Sequence, residues 1–255
     1  IRTGVAVGRD VSFDQLAGEF DAVFLGVGLG PDSRLGLPGE ELPGCVGAVA
    51  LIERIKTEAG FTLDGVQKAL VIGGGNTAID VVRELKQLGV PKVTMVYRRT
   101  ESEMSGYAHE LAAAKLEGVE LCFLAAPVSV EGFSKVTGLK CERVKLGTPD
   151  ANGRAAIEPT GETFVLPADL IVRATGQEKL TELLKAIPGL SVERGRVVAD
   201  AKSGQTGHPK FFAGGDCANG GKEVVNAAAE GKRAARGIHA FLLADGPSEL
   251  EVTIK

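Results

Sequence analysis

The sequence predicts an α/β fold built on a parallel β-sheet, and three stretches predict it. Residues 68–97 read as strand, glycine-rich turn, helix and strand; residues 128–166 switch to short strands parted by turns; residues 211–242 read as strand, glycine turn and long helix. A chain of 255 residues makes one large domain or two modest ones and buries a sizeable core.

The first stretch carries the strongest signal. Ala69-Leu70-Val71-Ile72 has the length and branching of a buried parallel strand. It ends in Gly73-Gly74-Gly75-Asn76-Thr77-Ala78, a G-x-G-x-x-A pattern. Ala78, Val81 or Val82, Leu85 and Leu88 then recur at helical spacing, and Gly89 stands where a C-terminal cap belongs. After Pro91 the run 93–97 closes a strand–helix–strand unit of about thirty residues. Gly73 turns the chain sharply out of the strand, Gly75 lets the backbone approach a pyrophosphate, and Ala78 keeps the helix close to the strand. The helix N-terminus offers free N–H groups and a partial positive charge to phosphates. The pattern predicts a Rossmann-like dinucleotide site, with an ordinary glycine-rich turn as the plainer alternative. An NAD site usually carries an acid at the end of the second strand to bond the ribose 2′-hydroxyl. This chain has Arg98-Arg99 there, and guanidinium groups suit a 2′-phosphate. NADP is expected ahead of NAD; the alternative is two solvated arginines beside Glu101 and Glu103.

Composition narrows the function classes. A net charge of −4 without a long basic run argues against nucleic acid as a partner. No apolar stretch approaches the eighteen residues of a membrane span. Ile1-Arg2-Thr3-Gly4 leads straight into strand-like sequence, so no signal peptide is expected, and the absent initiator Met points to processing or a fragment. Cys45, Cys122, Cys141 and Cys217 form no C-x-x-C pair, which fits reduced thiols in a cytoplasmic protein. The histidines 109, 208 and 239 show no metal spacing, and no metal site is expected.

The remaining elements follow in order. Residues 5–7 read as a short strand, 13–20 as a weak helix or turn, and 21–25 as a buried strand ending in Gly26-Val27-Gly28-Leu29-Gly30. Pro31 and Pro38 follow, so that run opens no helix and is no second fingerprint; it fits a strand end near a ligand, with a plain turn as the alternative. Residues 46–56 read as a helix, 107–117 as a helix stopped by Gly118, and 119–124 as a strand. In the stretch 128–166, turns are expected at 132–135, 149–153 and 160–162, a β-meander of the kind that fills a crossover. Residues 169–174 return to buried-strand character and end in Thr175-Gly176. In the last helix Val224, Ala228, Gly231, Ala235, Ile238 and Leu242 form a stripe of mostly small residues, expected to face a neighbouring backbone. Asp216, at a strand end, is placed to bond a ribitol or ribose hydroxyl, with a surface-turn aspartate as the alternative.

These stretches resemble the two-dinucleotide-binding-domain flavoproteins. More narrowly, they are similar to the small subunit of glutamate synthase and its relatives in dihydropyrimidine dehydrogenases. The resemblance rests on VIGGGNTAID (71–80), VYRRTESEM (96–104), LGTPD (146–150), ATGQ (174–177) and GGDC (214–217). It implies an NADP(H)-binding domain at 45–175 inserted into an FAD domain formed by 1–44 and 176–255. Gly73, Gly74, Gly75, Asn76, Thr77 and Ala78 would hold the pyrophosphate, with Arg98 and Arg99 on the 2′-phosphate. Asp216 would take the FAD ribitol, and the helix starting at Glu223-Val224-Val225 would face the isoalloxazine. The backbone at Val7 and Gly28 would lie near the flavin nucleotide, and Thr175, Gly176 and Gly215 complete the cofactor-binding set.

The implied reaction is hydride transfer from NAD(P)H to FAD, with electrons passed through iron–sulfur clusters to a partner subunit. No side chain is expected as general acid or base, because hydride transfer between cofactors needs positioning and electrostatics. The family's first FAD fingerprint and N-terminal cluster cysteines do not precede Val5. The expectation is therefore a subunit or fragment completed by a partner subunit or a further N-terminal segment. Two alternatives stand beside it: a dihydropyrimidine dehydrogenase-type subunit, and a nucleotide-binding module without catalysis of its own. A thioredoxin-reductase-like enzyme ranks behind them for want of a C-x-x-C.

Overall fold

The computed structural model describes residues 1–149 and 155–245. The chain opens with α1 (Phe13–Glu19), β1 (Val23–Leu25), β2 (Cys45–Gly47) and α2 (Ala48–Thr57). The central unit follows as β3 (Lys68–Ile72), α3 (Asn76–Gln87), β4 (Lys92–Tyr97), α4 (Ala108–Leu116) and β5 (Glu120–Phe123). Next come β6 (Ala125–Gly132), β7 (Val136–Pro149), β8 (Ala155–Pro167) and β9 (Leu170–Arg173). The last part holds α5 (Thr181–Lys185), β10 (Val192–Glu193), β11 (Arg196–Val197), β12 (Phe211–Ala213), α6 (Asp216–Asn219) and α7 (Val224–Asp245). By packing, Pro31–Gln177 forms one unit, and Ile1–Gly30 with the residues from Glu178 onward forms another.

In the unit Pro31–Gln177 the strand order is β2-β9-β3-β4-β5, and every neighbouring pair is parallel. A parallel sheet covered on both faces needs apolar residues at successive positions, which is what Leu70-Val71-Ile72 supplies. Alternate side chains then go to opposite faces. Ala69 and Val71 pack with Ile79, Val82, Leu85 and Leu111 from the helices, and Leu70 and Ile72 pack with Val130, Val136 and Leu139 from the meander. Helix α3 ends as its glycine demands. Gly89, at φ 82°, donates to the Lys86 carbonyl while Val90 donates to that of Leu85, the paired bonds of a Schellman cap. Gly118 closes α4 in the same way, with Gly118 bonded to Lys115 and Val119 to Ala114.

Several expectations need correction. Residues 5–7 make no strand; Val7 has only an isolated bridge to Val11. In the stretch 46–56, Val46 belongs to β2, and the helix starts at Ala48 because the Asp32 carboxylate accepts the N–H groups of Val49 and Ala50 at 2.9 and 3.0 Å. Residues 31–44, expected with the first segment, pack in this unit. The meander strands are longer than expected, β7 running for 14 residues and β8 for 13. The turn expected at 160–162 is a bulge inside β8, where the pairing jumps from Glu142–Thr163 to Val144–Pro159. Apart from Pro149, the turn expected at 149–153 lies outside the described residues, as does Asp150.

In the other unit β1 and β12 pair in parallel, Val23 against Phe211 through Leu25 against Ala213. Phe13, Leu25, Leu184, Ile187, Val197 and Phe211 form its core. The strand expected at 21–25 is only half-buried, with Phe24 exposed. The buried side of α7 is also not the stripe expected. Ala234 is buried, whereas Val224, Ala228 and Ala235 are exposed. The close backbone approach does occur, one position round the helix. A Cβ on Gly237 would stand 2.1 Å from the Ser203 carbonyl oxygen, and one on Gly204 would stand 3.0 Å from the Ala234 methyl.

Candidate nucleotide-binding sites

The glycine turn leaves β3 at its carboxyl end, between the ends of β9 and β4. Gly73 donates to the Val96 carbonyl at 3.0 Å, which ties the turn to β4. On the β9 side, a Cβ at Gly73 would stand 2.4 Å from the Ala174 carbonyl oxygen, and the residue sits at φ 152°. A Cβ at Gly74 would stand 2.6 Å from the Tyr97 ring. Glycine is required at both positions by neighbours on either side. Gly75 is the N-cap of α3 and makes no side-chain cap bond, so the first N–H groups of the helix have no intrahelical acceptor and carry the positive end of its dipole. Thr77 is exposed beside them, and Ala78 is fully buried against the strand. Asn76 Oδ1 accepts the Tyr107 N–H at 2.9 Å, so this side chain anchors the loop that follows β4.

The neighbouring strand ends complete the picture. Thr175 and Gly176 lie exposed beyond β9; Gly176 has φ 111°, and its carbonyl accepts the Ser33 N–H at 2.9 Å. Beyond β4 the two arginines part company. Arg98 is exposed and has no side-chain partner among the described residues. Arg99 is 6% exposed, and its Nη1 donates to Glu103 Oε1 at 2.7 Å. The structure therefore gathers Gly73 to Ala78, Thr175-Gly176 and Arg98 at the carboxyl ends of three adjacent strands, where open parallel sheets bind their ligands. His109 stacks on Tyr107 with ring centroids 5.6 Å apart.

A buried ion pair braces this end of the sheet. Arg173, the last residue of β9, donates to Glu40 Oε1 at 2.7 Å, and the N–H groups of Leu35 and Leu37 reach the same carboxylate. Burial pushes the Glu40 carboxyl up, but those backbone donors and the Arg173 charge outweigh it and hold it below the usual carboxylate range. Neither Glu40 nor Arg173 carried a motif that would have marked the pair.

The other unit holds a cavity of about 360 Å³ lined by Gly26, Gly28, Gly214, Gly215, Asp216, Lys222, Glu223, Val224 and Ala227. Its volume falls in the range of small-molecule and cofactor sites. Gly215, at φ 74° and ψ −159°, turns the chain out of β12 into a conformation that favours glycine. Asp216 Oδ1 accepts the Lys222 N–H at 3.2 Å. Glu230 on α7 accepts the Gly215 N–H at 2.7 Å and the Asn219 side chain at 3.0 Å, which locks the turn onto the helix. No sequence pattern singled out Glu230, because its partners lie 15 and 11 residues away. Val225 is exposed on the first turn of α7, and Val7 is not part of the cavity lining. Cys217 is buried, with its thiol against the carbonyls of Leu25 and Gly214, and burial pushes it up from the ordinary thiol range.

A sequence profile of the pyridine nucleotide-disulphide oxidoreductases matches residues 5–231. The chain belongs to that family. The glutamate synthase [NADPH] small chain of Halomonas elongata is 40% identical over 252 residues, covering 94% of this chain and 53% of that one. The NADP(+)-dependent formate dehydrogenase subunit beta of Moorella thermoacetica is 37% identical over 246 residues, covering 95% of this chain and 34% of that one. This chain thus spans about half the length, or less, of these relatives. Among solved structures, FprA from Mycobacterium tuberculosis superposes with TM-score 0.74 at 25% identity, over 93% of this chain and 67% of that one. T. acidophilum thioredoxin reductase shares the fold, with TM-score 0.69 at 21% identity over 86% of this chain and 65% of that one. The α/β architecture expected from the sequence is that of the two-dinucleotide-binding-domain flavoproteins.

Proposed function

We propose that this chain is the NADPH-oxidising part of a flavin-dependent oxidoreductase of the glutamate synthase small-subunit type. The observation that carries the reading is the cluster of strand ends: a glycine turn forced by its neighbours, an uncapped helix N-terminus and a free guanidinium at Arg98 on the adjacent strand. The donor set fits an NADP molecule. The N–H groups at the start of α3 take the pyrophosphate, with Gly73, Gly74 and Gly75 keeping side chains out of its way. Arg98 presents a planar pair of donors to the 2′-phosphate, and Thr175 and Gly176 border the site from β9. NADH is the weaker alternative.

The glycine-lined cavity of the other unit supports FAD binding, with Asp216 on the ribitol, Gly28 and Gly215 against the nucleotide, and the N-terminus of α7 at Glu223-Val224-Val225 toward the isoalloxazine. When bound, the flavin supplies hydride acceptance from the nicotinamide and onward electron transfer. This chain's residues bind and orient; none is needed as a proton donor. The relatives are named for glutamate synthesis and for formate oxidation, and both are subunits. We therefore place the final electron acceptor on a partner subunit, with glutamate synthase first and a dihydropyrimidine dehydrogenase-type partner second. The four free cysteines support a cytoplasmic setting.

The test is a visible absorption spectrum of the purified chain with added FAD, then with NADPH under anaerobic conditions. Bound-flavin bands that bleach on NADPH addition are expected. Pyridine-nucleotide binding without any flavin binding would instead make this chain a nucleotide-binding module without catalysis of its own.

A further inference from the structure

Arg98 projects from a strand end whose neighbouring residues are tied to one another through Glu103. Glu103 Oε1 accepts from Arg99 Nη1 at 2.7 Å, and Oε2 accepts from the Thr100 hydroxyl at 3.1 Å and the Thr100 N–H at 3.4 Å. The Glu103 carbonyl accepts from the Tyr97 hydroxyl at 3.0 Å, and its own N–H donates to the Thr100 carbonyl at 3.2 Å. Residues 97, 99 and 100, on both sides of Arg98, are thus bonded to one residue. The same frame reaches the glycine turn. The Tyr97 ring fills the space beside Gly74, and the N–H groups of Ser105 and Gly106, just past Glu103, both donate to the Gly74 carbonyl at 3.2 Å.

This arrangement has an electrostatic consequence. The Arg99 charge is buried and neutralised by Glu103, and its Nε has no partner among the described residues. Without Glu103 a buried cation would stand uncompensated, and the strand end would have to move to hydrate it. Arg98, exposed, is left as the charge that this strand end presents to a ligand.

We infer that Glu103 is a positioning residue for nucleotide selection: by clamping Tyr97, Arg99 and Thr100 it fixes the strand end that carries Arg98 relative to the glycine turn. This rests on the reading of Arg98 as the 2′-phosphate ligand. Arg99, in this account, is part of the frame and not of the contact surface.

The test is calorimetric titration of the full chain with NADPH and with NADH, for wild type, Arg98→Ala, Glu103→Gln and Thr100→Ala, with a thermal melt of each. Glu103→Gln keeps the size and loses the charge. It should weaken NADPH binding about tenfold, near the lower end of what losing one charge-assisted bond to a phosphate costs, and change NADH binding less than about twofold. Thr100→Ala removes one clamp and leaves the ion pair, so its loss should run in the same direction and reach about threefold. It carries the test should Glu103→Gln melt below the assay temperature. Equal losses for both nucleotides would mean that Glu103 serves stability alone. Tighter NADPH binding would make it a competitor for Arg99. Either result overturns the inference. A preference for NADPH that survives Arg98→Ala rejects the reading of Arg98 itself. A preference lost in Arg98→Ala but retained in both other variants rejects only the role of Glu103.

Discussion

The two units solve the same problem with different amounts of cover. In Pro31–Gln177 the parallel sheet is buried on both faces, by helices on one and the meander on the other. Its candidate site comes from three adjacent strand ends. In the unit formed by Ile1–Gly30 and the residues from Glu178 onward, one pair of parallel strands carries the site, and Phe20, Phe24, Val27, Val224 and Val225 are exposed. The walls of that cavity, Gly26 and Gly28 against Gly214 to Ala227, meet only because β1 pairs with β12. A site framed by a covered sheet holds its geometry by packing, whereas a site on a single strand pair depends on a few hydrogen bonds such as those to Glu230. In the first unit nucleotide binding should therefore fail on backbone change at the turn and respond to side chains only where they meet the ligand, whereas in the second the loss of a single bond to Glu230 should also be felt.

The largest expected effect is at Gly73. Gly73→Val puts a branched side chain against the Ala174 carbonyl in a backbone region that favours glycine. NADPH affinity should fall more than about a hundredfold, with a fall in stability of about 3 kcal/mol; an unchanged dissociation constant would break the account of the turn.

Next is Glu40→Gln, which leaves Arg173 buried without a counter-charge. The cost should be about 3 kcal/mol at neutral pH, measured by urea unfolding. Its pH dependence has a definite sign. Glu40 titrates below the ordinary value of 4.5, so its contribution is complete above that pH and is lost as the pH falls through the lowered folded value. The gap between wild type and variant should close in acid, and a gap that widened there would refute the ion-pair assignment.

Arg98→Ala comes third. Losing charge-assisted bonds to a phosphate should cost about 2 kcal/mol, or roughly thirtyfold, in NADPH affinity and little in NADH affinity. Equal losses would remove the 2′-phosphate from this strand end.

The smallest effect sharpens the comparison from the other side. Asp216→Asn keeps the acceptor for the Lys222 N–H and removes only the charge. FAD affinity should drop about fivefold, near 1 kcal/mol, while NADPH affinity stays unchanged. A flavin titration in which the variant matches wild type would take Asp216 out of the site.

Read from residues alone, the central strand–turn–helix–strand unit was legible, together with its glycine cap, because its determinants are local. A glycine at φ 82° closes α3, donating to the carbonyl three residues back while the next residue donates to the carbonyl five back from itself, and an apolar repeat of 3.6 selects a helix wherever it occurs. The motif residues Gly73 to Ala78 and Asp216 are read from the same short-range patterns, and Thr175-Gly176 from the family resemblance. Tertiary structure decided what depends on distant partners. It inserted β9 between β2 and β3, and it started α2 at Ala48 through a carboxylate 17 and 18 residues upstream of the N–H groups it accepts. It chose the side of α7 that meets Ser203 and Gly204. It also separated Arg98 from Arg99, two identical neighbours just past β4, because only Arg99 is buried against Glu103. Periodicity records which residues can be buried; the long-range neighbours that compensate a charge or crowd a backbone determine which of them are.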